Sequence, residues 1–514
     1  MAQIMTIIDV PSARELSLLQ NTAALVAGVL SIALPVGVLL GALIARTDLP
    51  GRRFAAALLA ALLFIPLYLQ GGAWIAGFGL QGSWTIGSAS GATPWLAGWR
   101  GAVWVHALAA IPWVAMLSGL GFRSAPRELE EETLLVASPW QAFVRVTLPH
   151  ARPAIGVAAL WVALSVVTEM SITDLFQVRT YAEELYTDAA IGETYDSPAL
   201  STLPIVVANS FLAIGLLLAL TRSAPAWRLA ARRDVMTYRL GRWRWPLALL
   251  VSAILVVCVG VPLFNLIWQA GMEATPDAEG VTGLTRSWSV PKFVTMLATS
   301  PWRFRTELGW SLLIGSVAAT AALTVAVPVA GWACGSSRRS TALLLAAALL
   351  LALPGPVIGL KLIEWLNQRD VPILVWLYDR SILAPCLAMW LRAFPWCLLV
   401  AWFAFRSVPQ AVVDAASLDG AGRLAMLWRV LVPQRRGALA AAWLVAWMVA
   451  MNDLAASILV VPPGVTTLCI HVFGLLHYGV EDQVAGISLA LVAIMVSLGW
   501  LAVKLASSRT SPVD

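Results

Sequence analysis

Two carboxylates, Glu169 and Asp453, stand where a charged side chain is costly, because each follows a long apolar stretch. An ionisable group at the centre of a bilayer costs about 2.5–3.5 kcal/mol on insertion scales, so such groups are usually retained for a function. The two acids are 284 residues apart, and each stands twenty residues beyond a proline, Pro149 or Pro433. We expect them, together with Asn452, to line a cation path or its outer gate. The alternative is a buried acid paired with a neighbouring polar group.

The spacing of the other reactive residues argues against several kinds of chemistry. The five cysteines and four histidines are dispersed and contain no Cys-x-x-Cys pair, so we expect neither a disulfide framework nor a metal site. A phosphate-binding loop needs a glycine directly before its lysine. The three lysines instead follow Pro291, Leu360 and Val503. We therefore expect the chain not to be an enzyme and to bind no cofactor.

The composition indicates a membrane protein. Of the 514 residues, 60% are hydrophobic and 12% are charged, whereas soluble proteins carry about 25% charged residues. A spanning helix needs about 20 mainly apolar residues, and long continuous runs exclude the alternating pattern of barrel strands. We expect an all-α, polytopic membrane protein of about eleven transmembrane helices. The predicted runs are 21-45, 54-77, 102-122, 154-177, 201-220, 246-268, 308-333, 341-366, 382-404, 438-461 and 485-503.

The distribution of basic residues predicts the orientation. One set of alternate loops holds 23 of the 34 Lys and Arg residues, and the other set holds 9. Because cytoplasmic loops carry the excess of positive charge, we expect the N-terminus outside and the C-terminus in the cytoplasm. The net charge of +6 is thus explained by the bilayer, and no nucleic-acid partner is expected.

The chain contains an internal repeat. Pro112-Trp113 recurs as Pro395-Trp396, 283 residues later, and Phe122-Arg123-Ser124 recurs as Phe405-Arg406-Ser407 at the same offset. The matched segments lie six predicted spans apart, so the halves are expected to be parallel. Gly71-Gly72 and Pro354-Gly355-Pro356 are expected to interrupt spans at corresponding places. The predicted divisions are a first repeat of five spans at 1-222, a cytoplasmic linker at 223-245, an extra span with an outer loop at 246-307, and a second repeat of five spans at 308-514.

A cytoplasmic stretch follows the third span of each half. We expect a short helix, a break, and a second short helix that a proline stops. Leu424, Leu427, Trp428 and Leu431 are spaced as one apolar stripe, and Ser138-Pro139 is typical of a helix start. The key positions of the second copy are Asp414, Ala415, Ala416, Gly420 and Pro433, and those of the first are Glu130, Glu131, Glu132, Val136 and Pro149.

This pattern resembles the signature loop of bacterial ABC importer permeases of the type I fold, which reads Glu-Ala-Ala, three residues, Gly, nine residues, Ile-x-Leu-Pro. The second copy is a good match, and in the first copy Val136 replaces the glycine. The resemblance implies that each loop is a coupling helix docked on an ATPase. It further implies two ABC ATPase subunits that hydrolyse the ATP, an extracytoplasmic solute-binding protein, contact with membrane lipid, and a location in the bacterial inner membrane.

The fused layout is similar to the iron(III)-type permeases and their thiamine and phosphonate relatives. Two stretches carry this likeness, one from Glu169 to Tyr186 and one from Asn452 to Leu468. It implies an importer of iron(III), or alternatively of thiamine, phosphonate or another small polar solute. A different class also remains open. An ion-coupled secondary transporter would use Glu169 and Asp453 as proton or sodium sites.

Overall fold

The structure is a computed structural model that describes residues 13–80, 82–85, 94–191, 198–230, 236–276, 284–368, 370–480 and 482–507. In these ranges most of the chain is helical. The described residues also form an antiparallel ribbon of β1 (Met272–Pro276) and β2 (Leu284–Trp288), in which Met272 pairs with Trp288. The expected all-α, polytopic architecture is confirmed.

The helices up to residue 271 are as follows: α1 Ala13–Arg46, α2 Arg52–Leu62, α3 Leu67–Phe78, α4 Gly98–Phe122, α5 Arg127–Val136, α6 Pro139–Ala142, α7 Leu148–Val167, α8 Ser171–Leu175, α9 Tyr181–Ile191, α10 Pro198–Ala230, α11 Arg244–Leu255 and α12 Val261–Gly271. Two π-helices, Phe143–Thr147 and Val256–Gly260, and a 3-10 turn, Gly241–Trp243, join them.

The helices after the ribbon are as follows: α13 Val290–Arg303, α14 Arg305–Cys334, α15 Ser337–Ala352, α16 Gly355–Leu366, α17 Pro372–Arg380, α18 Leu383–Arg406, α19 Gln410–Leu418, α20 Arg423–Ala425, α21 Val432–Gln434, α22 Arg436–Met451, α23 Leu468–Tyr478 and α24 Asp482–Ser507. A third π-helix, Met426–Leu431, joins α20 to α21.

The membrane-spanning helices match most of the predicted runs. Eight helices of the described residues are long and apolar enough to span a bilayer, and two further pairs, α2 with α3 and α15 with α16, qualify as broken spans. That gives ten candidates, not eleven. The predicted run 438-461 is wrong as one helix, because α22 ends at Met451 and the chain turns at residues 452–460.

Prolines, not glycines, break the two interrupted spans. Pro66 and Pro354 precede α3 and α16 with similar extended backbones, φ −56°, ψ 144° and φ −60°, ψ 144°. The expected break at Pro354 is therefore confirmed. The expected break at Gly71-Gly72 is wrong, because both glycines lie inside α3. A side chain on Gly72 would meet Leu476 at 2.9 Å, so this glycine serves packing.

Contacts divide the chain into two compact units, residues 1–63 with 91–261 and residues 64–90 with 262–514. Helix α3 belongs to the second unit, where the Asn265 amide on α12 donates to the Ala73 carbonyl oxygen at 3.0 Å. Helix α10 runs on to Ala230, into the predicted linker 223-245, and residues 231–235 of that linker lie outside the described ranges. The predicted repeat boundaries stay a prediction.

Small residues allow close helix packing in both units. In the first unit, α1 presents Gly37 and Gly41 to α4, where added methyl groups would lie 2.5 Å from Val114 and 2.3 Å from Ser118. In the second unit, the buried face of α14 is mostly alanine. Helices in membranes associate through such small-residue faces, because lipid offers no hydrophobic drive between them. This packing holds α1 and α14 against the helices that lead into the cytoplasmic segments predicted above.

Candidate functional site

The first coupling segment comprises residues 127–149. Helix α5 ends at Val136, the backbone is extended at Ala137 and Ser138, and α6 begins at Pro139. Ser138 forms a capping box with Gln141, in which each side chain accepts the backbone N–H of the other residue. The predicted helix start at Ser138-Pro139 is confirmed.

The second coupling segment comprises residues 410–433. Gly420 follows α19 with φ +77°, in the left-handed region that favours glycine. Its N–H donates to the Ser417 carbonyl oxygen, and the Ala421 N–H donates to that of Ala416. These two bonds close the end of α19 and turn the chain toward α20, which is the break predicted at this glycine.

Both segments contain a π-helix near their end, which sequence reasoning missed. The Leu148 N–H donates to the Phe143 carbonyl oxygen, and the Val432 N–H donates to that of Leu427, each five residues back. A proline, Pro149 or Pro433, directly follows. Because proline has no N–H and its ring clashes with the preceding turn, a widened turn accommodates it. The prediction that a proline stops the second short helix is wrong for the first copy, where Pro149 lies in the first turn of α7 and the helix runs on to Val167. It is confirmed for the second copy, where the helix ends at Gln434, one residue after Pro433.

Each segment exposes large apolar side chains. Leu135, Val136 and Trp140 are 85%, 88% and 71% exposed, and Leu418 and Leu424 are 89% and 75% exposed. The predicted single stripe of the second copy is divided between two faces. Leu427 and Leu431 pack inward, whereas Leu424 and Trp428 point outward. A helix that is anchored on one face and apolar on the other is suited to docking in a groove of another protein.

The matching acids of the two segments differ in environment. Glu130 is fully buried and forms an ion pair with Arg46. Asp414 is exposed and accepts a hydrogen bond from Gln410 at 2.9 Å. The remaining motif residues of both copies are exposed or half-buried: Glu131, Glu132, Val136, Pro149, Ala415, Ala416, Gly420 and Pro433.

Glu169 lies just beyond α7 and is held by several donors. Its carboxylate lies 3.3 Å from Nε2 of His106 on α4 and accepts hydrogen bonds from the Ser171 and Ile172 N–H groups. Sequence reasoning missed His106. Its position inside the predicted span 102-122, six residues before Pro112, was the available signal.

Asp453 lies just beyond α22 in a comparable arrangement. Its carboxylate is 3.2 Å from Nε of Arg392 on α18 and accepts the Ser457 N–H at 3.1 Å. Asn452 instead donates to the Met448 carbonyl oxygen at 2.7 Å. Each acid is thus paired with a basic side chain of its own unit, the arrangement considered above as the alternative to a cation path.

Outside the coupling segments, the second half repeats a detail of the first. The Tyr181 N–H at the start of α9 donates to the Thr22 hydroxyl of α1 at 3.1 Å. The Leu468 N–H at the start of α23 donates to the Ser311 hydroxyl of α14 at 2.8 Å. In the described residues no group of three or more His, Cys, Asp or Glu side chains could hold a metal ion.

Two comparisons with known proteins place part of the chain beside transport proteins of the inner membrane. Residues 322–508, which include the whole second segment, match the family described as "Binding-protein-dependent transport system inner membrane component". The putrescine transport system permease protein PotI of Escherichia coli K12 is 26% identical over 232 residues, which cover 42% of this chain and 81% of that protein. PotI of Escherichia coli O6:H1 (strain CFT073) matches equally. The chain is a multi-pass, all-α membrane protein, and the comparisons support an ABC importer permease.

Proposed function

We propose that the chain is the translocation subunit of an ATP-driven, binding-protein-dependent importer. The observation that carries the proposal is the pair of similarly built segments, each with an acidic helix, a break, an exposed apolar face and a π-turn before a proline. The second of them lies inside the region that matches the transport family. In this function both segments project into the cytoplasm, with the N-terminus outside and the C-terminus inside.

The energy comes from partners. Two copies of an ABC ATPase dock on the two segments and hydrolyse the ATP, and an extracytoplasmic solute-binding protein delivers the substrate. Closure of the ATPases pushes on the coupling segments and switches the central path between inward-open and outward-open forms by rigid-body movement.

For the substrate we propose iron(III), on the fused layout and the two stretches that resemble the iron(III)-type permeases. Putrescine is the second candidate, because the permease PotI is named for it. The two are distinguished by uptake into cells that carry the complete transporter. If the cells accumulate radiolabelled iron and an excess of putrescine does not reduce this uptake, iron(III) is supported as the substrate. If the cells accumulate putrescine and lose this uptake when the chain is deleted, putrescine replaces iron(III) as the proposed substrate.

The test of the function is ATPase stimulation in nanodiscs that contain this chain, its candidate ATPase and the substrate-loaded binding protein. Asp414→Asn and Gly420→Ala are expected to abolish stimulation while the chain still inserts. An alanine at Gly420 meets nothing within 4 Å, so its effect comes from the left-handed backbone, which costs about 1–2 kcal/mol.

Matched controls lie nearby. Gly422 has equally open surroundings but an ordinary φ of −66°, and Asp419 is an exposed acid just after α19. Gly422→Ala and Asp419→Asn should leave stimulation unchanged. Full stimulation in Asp414→Asn and Gly420→Ala counts against the proposal. Transport that continues without any ATPase and collapses with an ionophore establishes the ion-coupled alternative.

A further inference from the structure

The carboxylate of Glu130 is the centre of a buried polar network in the first unit. It pairs with the guanidinium of Arg46, accepts the Thr147 hydroxyl at 2.5 Å and accepts the Tyr238 hydroxyl at 3.3 Å. The Arg46 and Glu130 side chains are 1% and 0% exposed. The four residues belong to the end of α1, to α5, to the first π-helix and to the stretch just before α11.

That last stretch, residues 236–240, is called the strap here. The Tyr238 N–H donates to the Arg46 carbonyl oxygen at 2.7 Å, and the Asp48 N–H donates to that of Tyr238 at 3.3 Å. The Leu240 N–H donates to the Asp48 carboxylate at 2.9 Å. The strap is therefore bonded along the end of α1 by its backbone, independently of Glu130.

Aromatic contacts extend the network to the coupling segment. The Tyr238 ring packs edge-on against Phe143 of the π-helix, with centroids 6.3 Å apart, and the Arg46 guanidinium lies 5.6 Å from the Tyr238 ring centre. Burial raises the pKa of the Tyr238 hydroxyl, so the tyrosine stays protonated and remains a donor. The strap, α1, α5 and the π-helix thus meet at one carboxylate.

The second coupling segment is built differently at the same motif position. Asp414 lies on the exposed face of α19, and within the described ranges it forms no ion pair. Its hydrogen bond to Gln410 stays within α19. The acid that fixes the first segment to a membrane helix is therefore free to meet another protein in the second.

We propose that Glu130 is a positioning residue that locks the first coupling segment to α1 and the strap, whereas Asp414 contacts the ATPase directly. The proposal rests on the proposed function. It assigns different roles to the matching acids of the two docking segments. A carboxylate that accepts from donors in three elements fixes their mutual orientation, because each hydrogen bond is directional. Movement imposed on the exposed face around Trp140 then reaches α1 through the Glu130–Arg46 pair.

The first experiment uses this chain alone in nanodiscs, with the five native cysteines replaced and a spin label attached through Leu135→Cys. Glu130→Gln should make the label move several-fold faster, because Arg46 loses its counter-charge and α5 loses its anchor. The control is Glu132→Gln, an exposed acid on the same helix, which should leave the mobility unchanged. In the second segment, a label at Leu418→Cys should not respond to Asp414→Asn.

A second variant separates positioning from mere stability. In Arg46→Met with Glu130→Leu both charges are removed, and replacing a buried ion pair with apolar residues of similar volume often preserves stability. The directional bonds to Thr147 and Tyr238 are still lost. We expect this double variant to insert and to unfold at the same temperature as the unmodified chain. Its spin label should nevertheless move as fast as in Glu130→Gln, and it should bind the ATPase about tenfold more weakly.

The outcomes are distinct. An unchanged label in Glu130→Gln overturns the inference, and so does a double variant that restores both label mobility and ATPase affinity. If the unmodified chain binds no ATPase, the proposed function fails, while the label comparison still decides whether Glu130 locks the segment.

Discussion

Glu183 on α9 is a buried acid outside the spanning helices, with 8% of its surface exposed. Its pKa is raised to about 7, chiefly by burial and also by the neighbouring carboxylates of Glu184 and Asp174, while Thr187 and Arg179 act in the opposite direction. One of its carboxylate oxygens has no hydrogen-bond partner. Its ionised form is therefore disfavoured in the folded state.

This predicts a pH-dependent stability of the first unit. A glutamate in an unfolded chain titrates near pH 4.3, so between about pH 4.5 and 7 the folded state binds more protons than the unfolded state. Stability should fall as the pH rises through this window and level off above it. Thermal unfolding of Glu183→Gln in detergent should lack this fall. An equal fall in the variant and the parent contradicts the assignment, and Glu128→Gln, an exposed acid, is the control.

The residues of the candidate site show what a sequence can and cannot predict. The offset of 284 residues identified Glu130 and Asp414 as matching positions without any structure. It did not indicate that one is buried and the other exposed. Glu130 is buried by its contacts with Arg46, 84 residues earlier in the chain, and with Tyr238, 108 residues later. Contacts between residues so far apart in sequence leave no local pattern.

At the scale of elements, the packing of α1 against α4 holds Arg46 in place. Gly41 lies five residues before Arg46, and an added methyl group there would be 2.3 Å from the Ser118 hydroxyl and 2.7 Å from the Ala115 carbonyl oxygen. The backbone oxygen cannot move aside without shifting α4. The two helices approach this closely only because position 41 has no side chain.

We predict that Gly41→Ala destabilises the chain by about 1–3 kcal/mol, the usual cost of overpacking, and weakens ATPase stimulation by shifting Arg46. The matched control is Gly156→Ala on α7, where an added methyl group meets nothing within 4 Å. That change should be neutral or stabilising by up to about 1 kcal/mol, since alanine favours helix. Thermal unfolding of the two variants measures the difference, and equal stabilities would refute the close-packing argument.

Local signals predicted most element boundaries, but they missed the π-helices and the break at Pro66. The cap at Ser138 and the break at Gly420 were foreseen because each depends on one or two residues. The π-helices before Pro149 and Pro433 were not. A proline usually signals a helix end, and only the surrounding packing shows that the helix at Pro149 continues through a widened turn into α7. The break at Pro66 was missed because the neighbouring Gly71-Gly72 gave the more obvious signal.

At the scale of the molecule, the two halves share details beyond the motifs that predicted a repeat. The acids beyond α7 and α22 are each paired with a base, and the starts of α9 and α23 are each held by a hydroxyl of a long helix. Because Glu169 and Asp453 are already paired, they resemble structural supports more than free cation sites. Substitution of either acid by its amide is expected to lower stability and transport together.

Cross-linking to the ATPase tests most directly whether the two segments receive work from a partner. Single cysteines at Trp140 and Leu424, both largely exposed, should cross-link to the ATPase, and ATP binding should change the yield. A cysteine at Trp95, which is 77% exposed in a predicted outer loop, should not cross-link. Failure at both segments, or labelling of residues 140 and 424 by a reagent confined to the periplasm, would contradict the account.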